Sequence, residues 1–358
     1  MPVIQVQSNL RNYDASFDSV TRHKTTLLNL AQKVFIVDQN VWNLHQYQLL
    51  NWLPIEDTLI FPVSEEVKTL DSVQEIIDRL LEKSAKRNLT LITIGGGILQ
   101  DITGFVASSL YRGINWIFLP TTLLAQADSC IGSKTSLNYK GYKNLIGSFY
   151  PPSHVIIDVA FLKTLKKVDF FSGLGEVVKL HLMGGLEKTQ RLIDIFPQMC
   201  AREEDFLQEV ILTSLNVKLD FISNDEFDLG RRNMLNYGHC FGHAIESVSD
   251  FAIPHGQAVV AGMILSNFVA NQRGILSNEK LEFFEDRLLF PSLVTHPTPH
   301  DLAADAIIKA MEKDKKRTGT GLVLVMMTGQ DGELVRANDL TPGEVETALK
   351  YLQDKSGH

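Results

Sequence analysis

The chain has 358 residues, 44% hydrophobic and 21% charged, the balance of a globular protein too long for one small core. A formal net charge of -8 works against general binding to nucleic acid or an anionic membrane surface, while leaving room for a local basic pocket. No apolar run approaches the ~20 residues that a membrane helix needs. The first residues, Met-Pro-Val-Ile-Gln-Val, carry neither a basic region nor a signal-peptide core. Cys130, Cys200 and Cys240 are far apart and form no Cys-x-x-Cys pair, so a cytoplasmic protein without a disulfide framework is expected.

Taken in chain order, residues 33–38 (KVFIVD) read as a buried strand ending in a polar turn, and residues 58–63 as another. From Ser72 to Lys86 the apolar positions Val73, Ile76, Ile77, Leu80 and Leu81 recur at helical spacing. Residues 89–94 form a strand-like run into Gly95-Gly96-Gly97, helical spacing resumes over 98–110, and 114–120 is a further buried strand. Strand, helix, strand in this order predicts a parallel sheet with crossover helices. Beyond about Val168 the pattern changes. Helical stretches at 203–222, 236–248 and 257–271 dominate, and strand signals nearly vanish until 321–326. This predicts an α/β domain over 1–165 and a mostly helical domain over 166–358.

A strand that ends in three glycines and opens a helix admits a pyrophosphate, because backbone N–H groups and the helix dipole point at the anion. Any tight strand-to-helix turn can also use glycine. Asp101 lies just inside that helix, placed either to partner the dipole or to take a cofactor hydroxyl. Between Pro120 and Gly147, Asp128, Lys134, Lys143 and Asn144 stand among small residues in a stretch that reads as too apolar for a solvated face. Lysines in such a setting meet phosphates or carboxylates. Glu176 and Lys179 are three apart on one helical face, the spacing of an ordinary surface ion pair. His239 and His243, four apart, share a helical face, and Pro254-His255-Gly256 follows where a loop can fold His255 back toward them. Two histidines and one glutamate with an open position form an established catalytic zinc arrangement, and Glu176 is the candidate carboxylate. Which histidines bind stays open on spacing alone.

Gly95-Gly96-Gly97 with Asp101, Tyr-Arg-Gly-Ile at 111–114, Pro-Thr-Thr-Leu-Leu-Ala-Gln-x-Asp at 120–128, Gly-x-Lys-Thr at 132–135 and Lys-Asn-x-Ile-Gly at 143–147 together resemble the 3-dehydroquinate synthases. So do Ser-Gly-Leu-x-Glu-Val-x-Lys at 172–179, Asp-Glu-x-Asp-x-Gly-x-Arg at 225–232 and Leu-Asn-x-Gly-His-x-Phe-Gly-His-Ala-Ile-Glu at 235–246. The resemblance runs from about Ser64 to Met263, and more weakly to Lys316. It is specific for the sugar phosphate cyclase superfamily, whose members share most of these motifs. It implies an N-terminal α/β nucleotide-binding domain, a mostly α-helical C-terminal metal-binding domain and an active site in the cleft between them. The implied reaction oxidises an alcohol of a heptulosonate phosphate with bound NAD, eliminates phosphate, reduces the ketone again, and closes the carbocycle by an aldol step after ring opening.

Carried over residue by residue, the resemblance implies that Glu176, His239 and His255 hold a divalent metal, zinc or cobalt, and leaves His243 to the phosphate and proton traffic. Asp128, Lys179 and Lys218 would line the reacting hydroxyls. Lys134, Asn144, Asn236, His243 and Lys316 would hold the phosphate, with Lys218 and Arg232 near the carboxylate. The catalytic set would be Asp128, Lys134, Lys179, Lys218 and His243. Arg112 would reach into a partner's site, which implies a homodimer acting on a small sugar phosphate. NAD would contact Asp38, Asn40, Glu65, Lys68, Gly95, Gly96, Gly97, Asp101, Thr121, Thr122, Lys143 and the stretch from Phe161 to Thr164, with Asp128 and Lys134 at its edge. The chain departs from the family's usual pattern at Ser64, Gln100, Ser133, Cys240 and Gln257, changes expected to crowd the cofactor turn and the metal shell. Competing expectations are a cyclase for sedoheptulose 7-phosphate, glucose 6-phosphate or an amino-sugar variant, a metal-dependent polyol dehydrogenase, and a catalytically dead scaffold. A cyclase for a neutral sugar has no use for a carboxylate-binding Arg232, and a dehydrogenase none for Lys134, Asn144 and Lys316.

Overall fold

A computed structural model describes residues 2–313 and 321–356. Two compact units divide the chain: the first comprises 1–165 and 222–227, the second 166–221 and 228–358.

The first unit is built on a seven-stranded sheet of β1 (Val3–Val6), β2 (Tyr13–Phe17), β3 (Lys33–Asp38), β4 (Thr58–Phe61), β5 (Thr90–Gly95), β6 (Asn115–Pro120) and β9 (His154–Ile157), in the spatial order β1-β2-β9-β6-β5-β3-β4. Only the β1–β2 pair is antiparallel. Helices α1 (Val20–Leu28), α2 (Gln39–His45), α3 (Leu70–Glu82) and α4 (Gly97–Ser109) connect the parallel strands. A separate hairpin, β7 (Lys134–Tyr139) and β8 (Tyr142–Phe149), leads into β9. Strand β5 is buried along its whole length, as a parallel strand covered on both faces must be. Phe35, Val37, Ile92, Ile94, Ile117, Leu119 and Ile156 of neighbouring strands form one apolar cluster.

After β3 the chain adds β4 on one side of it, then crosses to lay β5 on the other. The strand order therefore reverses between β3 and β5, and in open α/β sheets ligands bind at the carboxyl ends of the strands at such a switch point. Asp38 ends β3 and Gly95 ends β5.

The second unit is helical: α5 (Lys167–Met183), α6 (Leu186–Asp194), α7 (Phe196–Cys200), α8 (Glu204–Ile222), α9 (His239–Val248) and α10 (His255–Gln272), with later helices including Pro342–Lys355 and a two-stranded ribbon of β10 (Leu322–Met327) and β11 (Leu334–Leu340). Helix α10 is buried over most of its length, the mark of a central helix. It packs against α5 and α9 through glycines. A Cβ on Gly256 would collide with the Ser172 carbonyl, one on Gly175 with the Gly256 carbonyl, and one on Gly262 with the Gly238 carbonyl. No described helix is long and apolar enough to cross a membrane.

Two expectations change. The helix anticipated from 236 starts at His239: Arg231–Asn236 is a 3₁₀ segment and Gly238 (φ 77°) turns the chain into α9. The stretch 120–147 is not uniformly apolar. Its first part is largely buried, whereas Lys134 is exposed and β8 is exposed or half-buried along its length, so its lysines ride on a partly solvated hairpin.

Candidate active site

In the second unit, α5 carries Glu176, the first turn of α9 carries His239, and the first residue of α10 is His255. The close helix contacts bring one ligand atom of each within 4.8 Å of the others. Glu176 Oε1 lies 3.0 Å from His255 Nε2 and 3.3 Å from His239 Nε2. The outer ring nitrogens fix the orientation. His239 Nδ1 donates to the Tyr237 carbonyl at 3.1 Å, and His255 Nδ1 donates to Glu246 Oε2 at 3.0 Å. A carbonyl can only accept, so the Nε2 of a neutral His239 presents a lone pair toward a carboxylate oxygen. Two acceptors facing each other call for a cation between them. Outer carboxylate and carbonyl partners of this kind hold metal-binding imidazoles in the ligating tautomer.

The electrostatics agree. Burial works against a charged His255, but Glu246 and Glu176 overcome it and push the imidazole up to about 10. Burial and the Lys179 ammonium keep His239 below its ordinary value despite Glu176. Burial opposes ionisation of Glu176, yet Lys179 and His239 hold its carboxyl well below the usual range. Without a metal, a proton on His255 supplies the positive charge that the pair of carboxylates demands. The donor set fits a dication bound by two imidazoles and one carboxylate.

Lys179 Nζ sits 2.5 Å from Glu176 Oε2 with both side chains buried, which overturns the surface ion pair suggested by spacing. His243 is close to both ligands, its ring centroid 5.2 Å from that of His239 and 6.0 Å from that of His255. Among described residues it also forms a second possible donor group with Glu246 and His255. Lys218 on α8 and Arg232 in the 3₁₀ segment are buried, and Asn236 ends that segment half-buried. Gln257, expected to crowd the metal shell, is used elsewhere: its Nε2 donates to the Phe171 and Ser292 carbonyls, and its Oε1 accepts from the Val294 and Thr295 amides. Lys316 lies outside the described residues.

In the first unit, the switch point gathers the residues assigned to the cofactor. Asp38 caps α2, accepting from the Asn40 amide at 2.7 Å, and burial raises its carboxyl above the ordinary value against these amide bonds. Helix α4 starts at Gly97 with no side-chain cap, so its first amides keep an anion-binding geometry. A Cβ on Gly95 would press on Leu99 and on Asp38, and one on Gly96 on Thr122, which is why the turn is glycine. Thr121 follows β6, its amide donating to the Gly95 carbonyl, and Asp128 lies in a single π-turn over Ala125–Ser129. Gln100 is turned into that region, its amide donating to the Ser129 carbonyl and its Oε1 accepting from the Ser129 hydroxyl at 2.6 Å.

Lys68 Nζ pairs with Asp101 Oδ2 (2.5 Å) and donates to Asn144 Oδ1 (2.6 Å), while the Ser136 hydroxyl lies 2.9 Å from Asp101 Oδ2 and 2.8 Å from Asn144 Oδ1, with one proton to give to either. Lys143 approaches Glu65 at 4.0 Å, and Glu65 accepts from Asn138 Nδ2. Thr164 Oγ1 meets His45 Nε2 at 2.8 Å, and the Phe161 ring packs edge-on against His45 as part of the apolar core. Arg112 is exposed in a left-handed run, with φ 52° at Tyr111, 65° at Arg112 and 120° at Gly113.

Two features were not anticipated: Glu246, which orients His255, and the Lys68–Asp101 pair. Glu246 bonds to His255, nine residues on and on another helix, so no i,i+3 or i,i+4 spacing signalled it.

Comparison with known proteins bears directly on this arrangement. Residues 58–172 match the model of the 3-dehydroquinate synthase N-terminal domain, and residues 173–317 that of the C-terminal domain. The 3-dehydroquinate synthase of Dehalococcoides mccartyi is 35% identical over 295 residues, covering 82% of this chain and 81% of its own. The chain belongs to the 3-dehydroquinate synthase family. The synthase of a Sulfurovum species is 33% identical over 99% of each chain. Among solved structures, 2-epi-5-epi-valiolone synthase of Streptomyces hygroscopicus, with NAD+ and Zn2+ bound, aligns with a TM-score of 0.83 at 26% identity over 98% of this chain and 99% of that one.

Proposed function

We propose that this chain converts 3-deoxy-D-arabino-heptulosonate 7-phosphate to 3-dehydroquinate and phosphate, using NAD and a divalent metal, zinc or cobalt. The observation that carries the reading is the convergence of Glu176, His239 and His255 on one point in a member of this family. The uncapped Gly96–α4 turn at the switch point suits the cofactor pyrophosphate. When bound, the metal would polarise the hydroxyl being oxidised and later the aldol carbonyl, and the nicotinamide would take up a hydride and return it.

The chain's own residues have separate tasks. Glu176, His239 and His255 hold the metal, and Glu246 and the Tyr237 carbonyl keep both imidazoles turned to it. Lys179, Asp128 and Lys218 bind the reacting hydroxyls. Lys134, Asn144, Asn236 and His243, with Lys316, hold the phosphate. Arg232 and Lys218 neutralise the substrate carboxylate. Asp38, Asn40, Lys68, Asp101, Thr121, Thr122, Lys143 and Thr164 line the cofactor, and Phe161 supports it from the core. Exposed Arg112, fixed by its left-handed backbone, serves a second copy of the chain, so the working form is a cytoplasmic homodimer.

The metal-free protein supplemented with zinc or cobalt and NAD should release phosphate from the heptulosonate phosphate, give a product of the expected mass, and accumulate no NADH. Stoichiometric NADH would instead favour a polyol dehydrogenase. The alternative reading is a cyclase for a neutral sugar phosphate. Preference for sedoheptulose 7-phosphate over the carboxylated substrate would establish it.

A further inference from the structure

The six residues Ile222–Phe227 fold with the first unit although the sequence on either side belongs to the second. Glu226, buried in this segment, gathers donors from two distant loops. Its Oε1 accepts from the Ser8 hydroxyl at 2.6 Å and the Ser133 hydroxyl at 3.1 Å. Its Oε2 accepts from the Asn9 amide at 2.7 Å and Asn9 Nδ2 at 3.1 Å. Burial works against ionisation, but these bonds hold the carboxyl below its ordinary value.

Ser133 is the residue immediately before Lys134, and it adopts φ 65°, a left-handed conformation that costs a non-glycine residue about 1 kcal/mol. Its carbonyl also accepts from the Tyr150 amide, and the neighbouring Gly132 amide donates to the Tyr13 hydroxyl. On the other side, Lys134 pairs across the hairpin with Phe149, and the Phe227 ring packs edge-on against Phe149 at 5.2 Å. Consecutive residues of the segment thus hold Lys134 from both sides: Glu226 through the residue preceding it, Phe227 through its cross-strand neighbour.

We infer that Glu226 is a positioning residue for substrate phosphate binding, bracing the Ser133 turn and so aiming Lys134, with Phe227 fixing the opposite strand. The inference rests on the phosphate role proposed above for Lys134. The same segment follows Lys218 by four residues and precedes Arg232 by five, so the stretch of chain between two substrate-binding residues is itself anchored beside a third.

Glu226→Gln keeps the size but turns an amide nitrogen toward the Asn9 donors or the two hydroxyls. It should raise KM for the sugar phosphate, and the dissociation constant of inorganic phosphate measured by titration calorimetry, by about five- to twentyfold. Metal content, kcat and NAD affinity should stay within about twofold. Ser133→Ala should move the same constants in the same direction by less, and the double variant should be no worse than Glu226→Gln alone, as for residues acting through one bond. Lys134→Ala marks the ceiling of the effect. Wild-type KM and phosphate affinity in Glu226→Gln would overturn the inference, as would equal losses of phosphate and NAD binding. If Glu226→Gln fails to fold, Ser133→Ala decides by the same measurements. A wild type that binds phosphate but does not turn over the heptulosonate phosphate would contradict the proposed reaction, and the phosphate titration would still judge the brace.

Discussion

Glu176, His239 and His255 stand on three helices whose backbones meet through glycines, whereas Lys134, Lys143 and Asn144 ride on a two-stranded hairpin whose second strand is exposed or half-buried throughout. The helical site is preorganised by packing, and the imidazoles of His239 and His255 each have the outer nitrogen engaged. The hairpin holds its polar groups through side-chain bonds among Lys68, Asp101, Ser136 and Asn144, with Leu137 of its first strand buried. A coordination site demands donor positions within tenths of an ångström, while an anion that arrives and leaves in each cycle is served by charged donors at a solvated rim. The two regions should therefore fail differently.

The largest difference is expected from the ligands themselves. Glu176→Gln should lower activity on the order of a thousandfold, with loss of bound metal visible in elemental analysis and chelator competition. Full metal content in that variant would break the comparison at its root.

Glycines test the packing contrast. Gly256→Ala drives a methyl into the Ser172 carbonyl and should cost about 1–3 kcal/mol, lowering the melting temperature by about 5 °C and weakening metal binding with it. Gly141, at the hairpin turn with φ 80°, has open space around it, so Gly141→Ala should cost only about 1 kcal/mol of backbone strain and leave the metal untouched. Equal effects in thermal melts would remove the distinction.

Lys134→Ala should raise KM for the sugar phosphate by about thirtyfold with metal content unchanged, the signature of a lost charge-assisted contact away from the metal. The smallest effect concerns the margin of the helical unit. Arg273 grips Glu344 through two bonds, at 2.7 and 2.9 Å, and depresses that carboxyl from 4.5 to about 2 despite partial burial. A depressed carboxylate stabilises fully above its unfolded value and loses that contribution as pH falls from about 4.5 through about 2. Discounted for solvent screening, Glu344→Gln should cost about 1 kcal/mol at neutral pH. Its stability should converge with wild type near pH 2, as acid denaturation curves would show.

The legible parts of the sequence were those with strong period and burial. Strands β3, β5 and β6 and helix α3 announce themselves because apolar residues follow one template over six or more positions. Strands β1, β2 and β9 have four or five residues each and mixed polarity, too short for a pattern to rise above chance. The β7–β8 hairpin was hidden because its lysines and asparagines read as ligand chemistry before they read as a solvated ribbon. Within the site, the histidines, the Pro-His-Gly turn and Glu176 as candidate carboxylate foreshadowed the convergence, and the resemblance chose His239 and His255 among the histidines. The bonds that Glu246, Lys68 and Glu226 make join residues distant in sequence or on separate helices, and no local spacing encodes them.

The excursion of Ile222–Phe227 has a consequence for how the chain comes into being. Synthesis delivers the sheet strands first, at about 5–20 residues per second. The carboxylate that gathers Ser8, Asn9 and Ser133 emerges only after another sixty-one residues beyond the first unit's other boundary at Leu165. A nascent first unit must therefore wait, its Ser133 turn unbraced, until helix α8 has been made. A protein cut after Leu165 and expressed as a fragment would lack a piece of its own fold, and should be rescued by a peptide carrying residues 222–227.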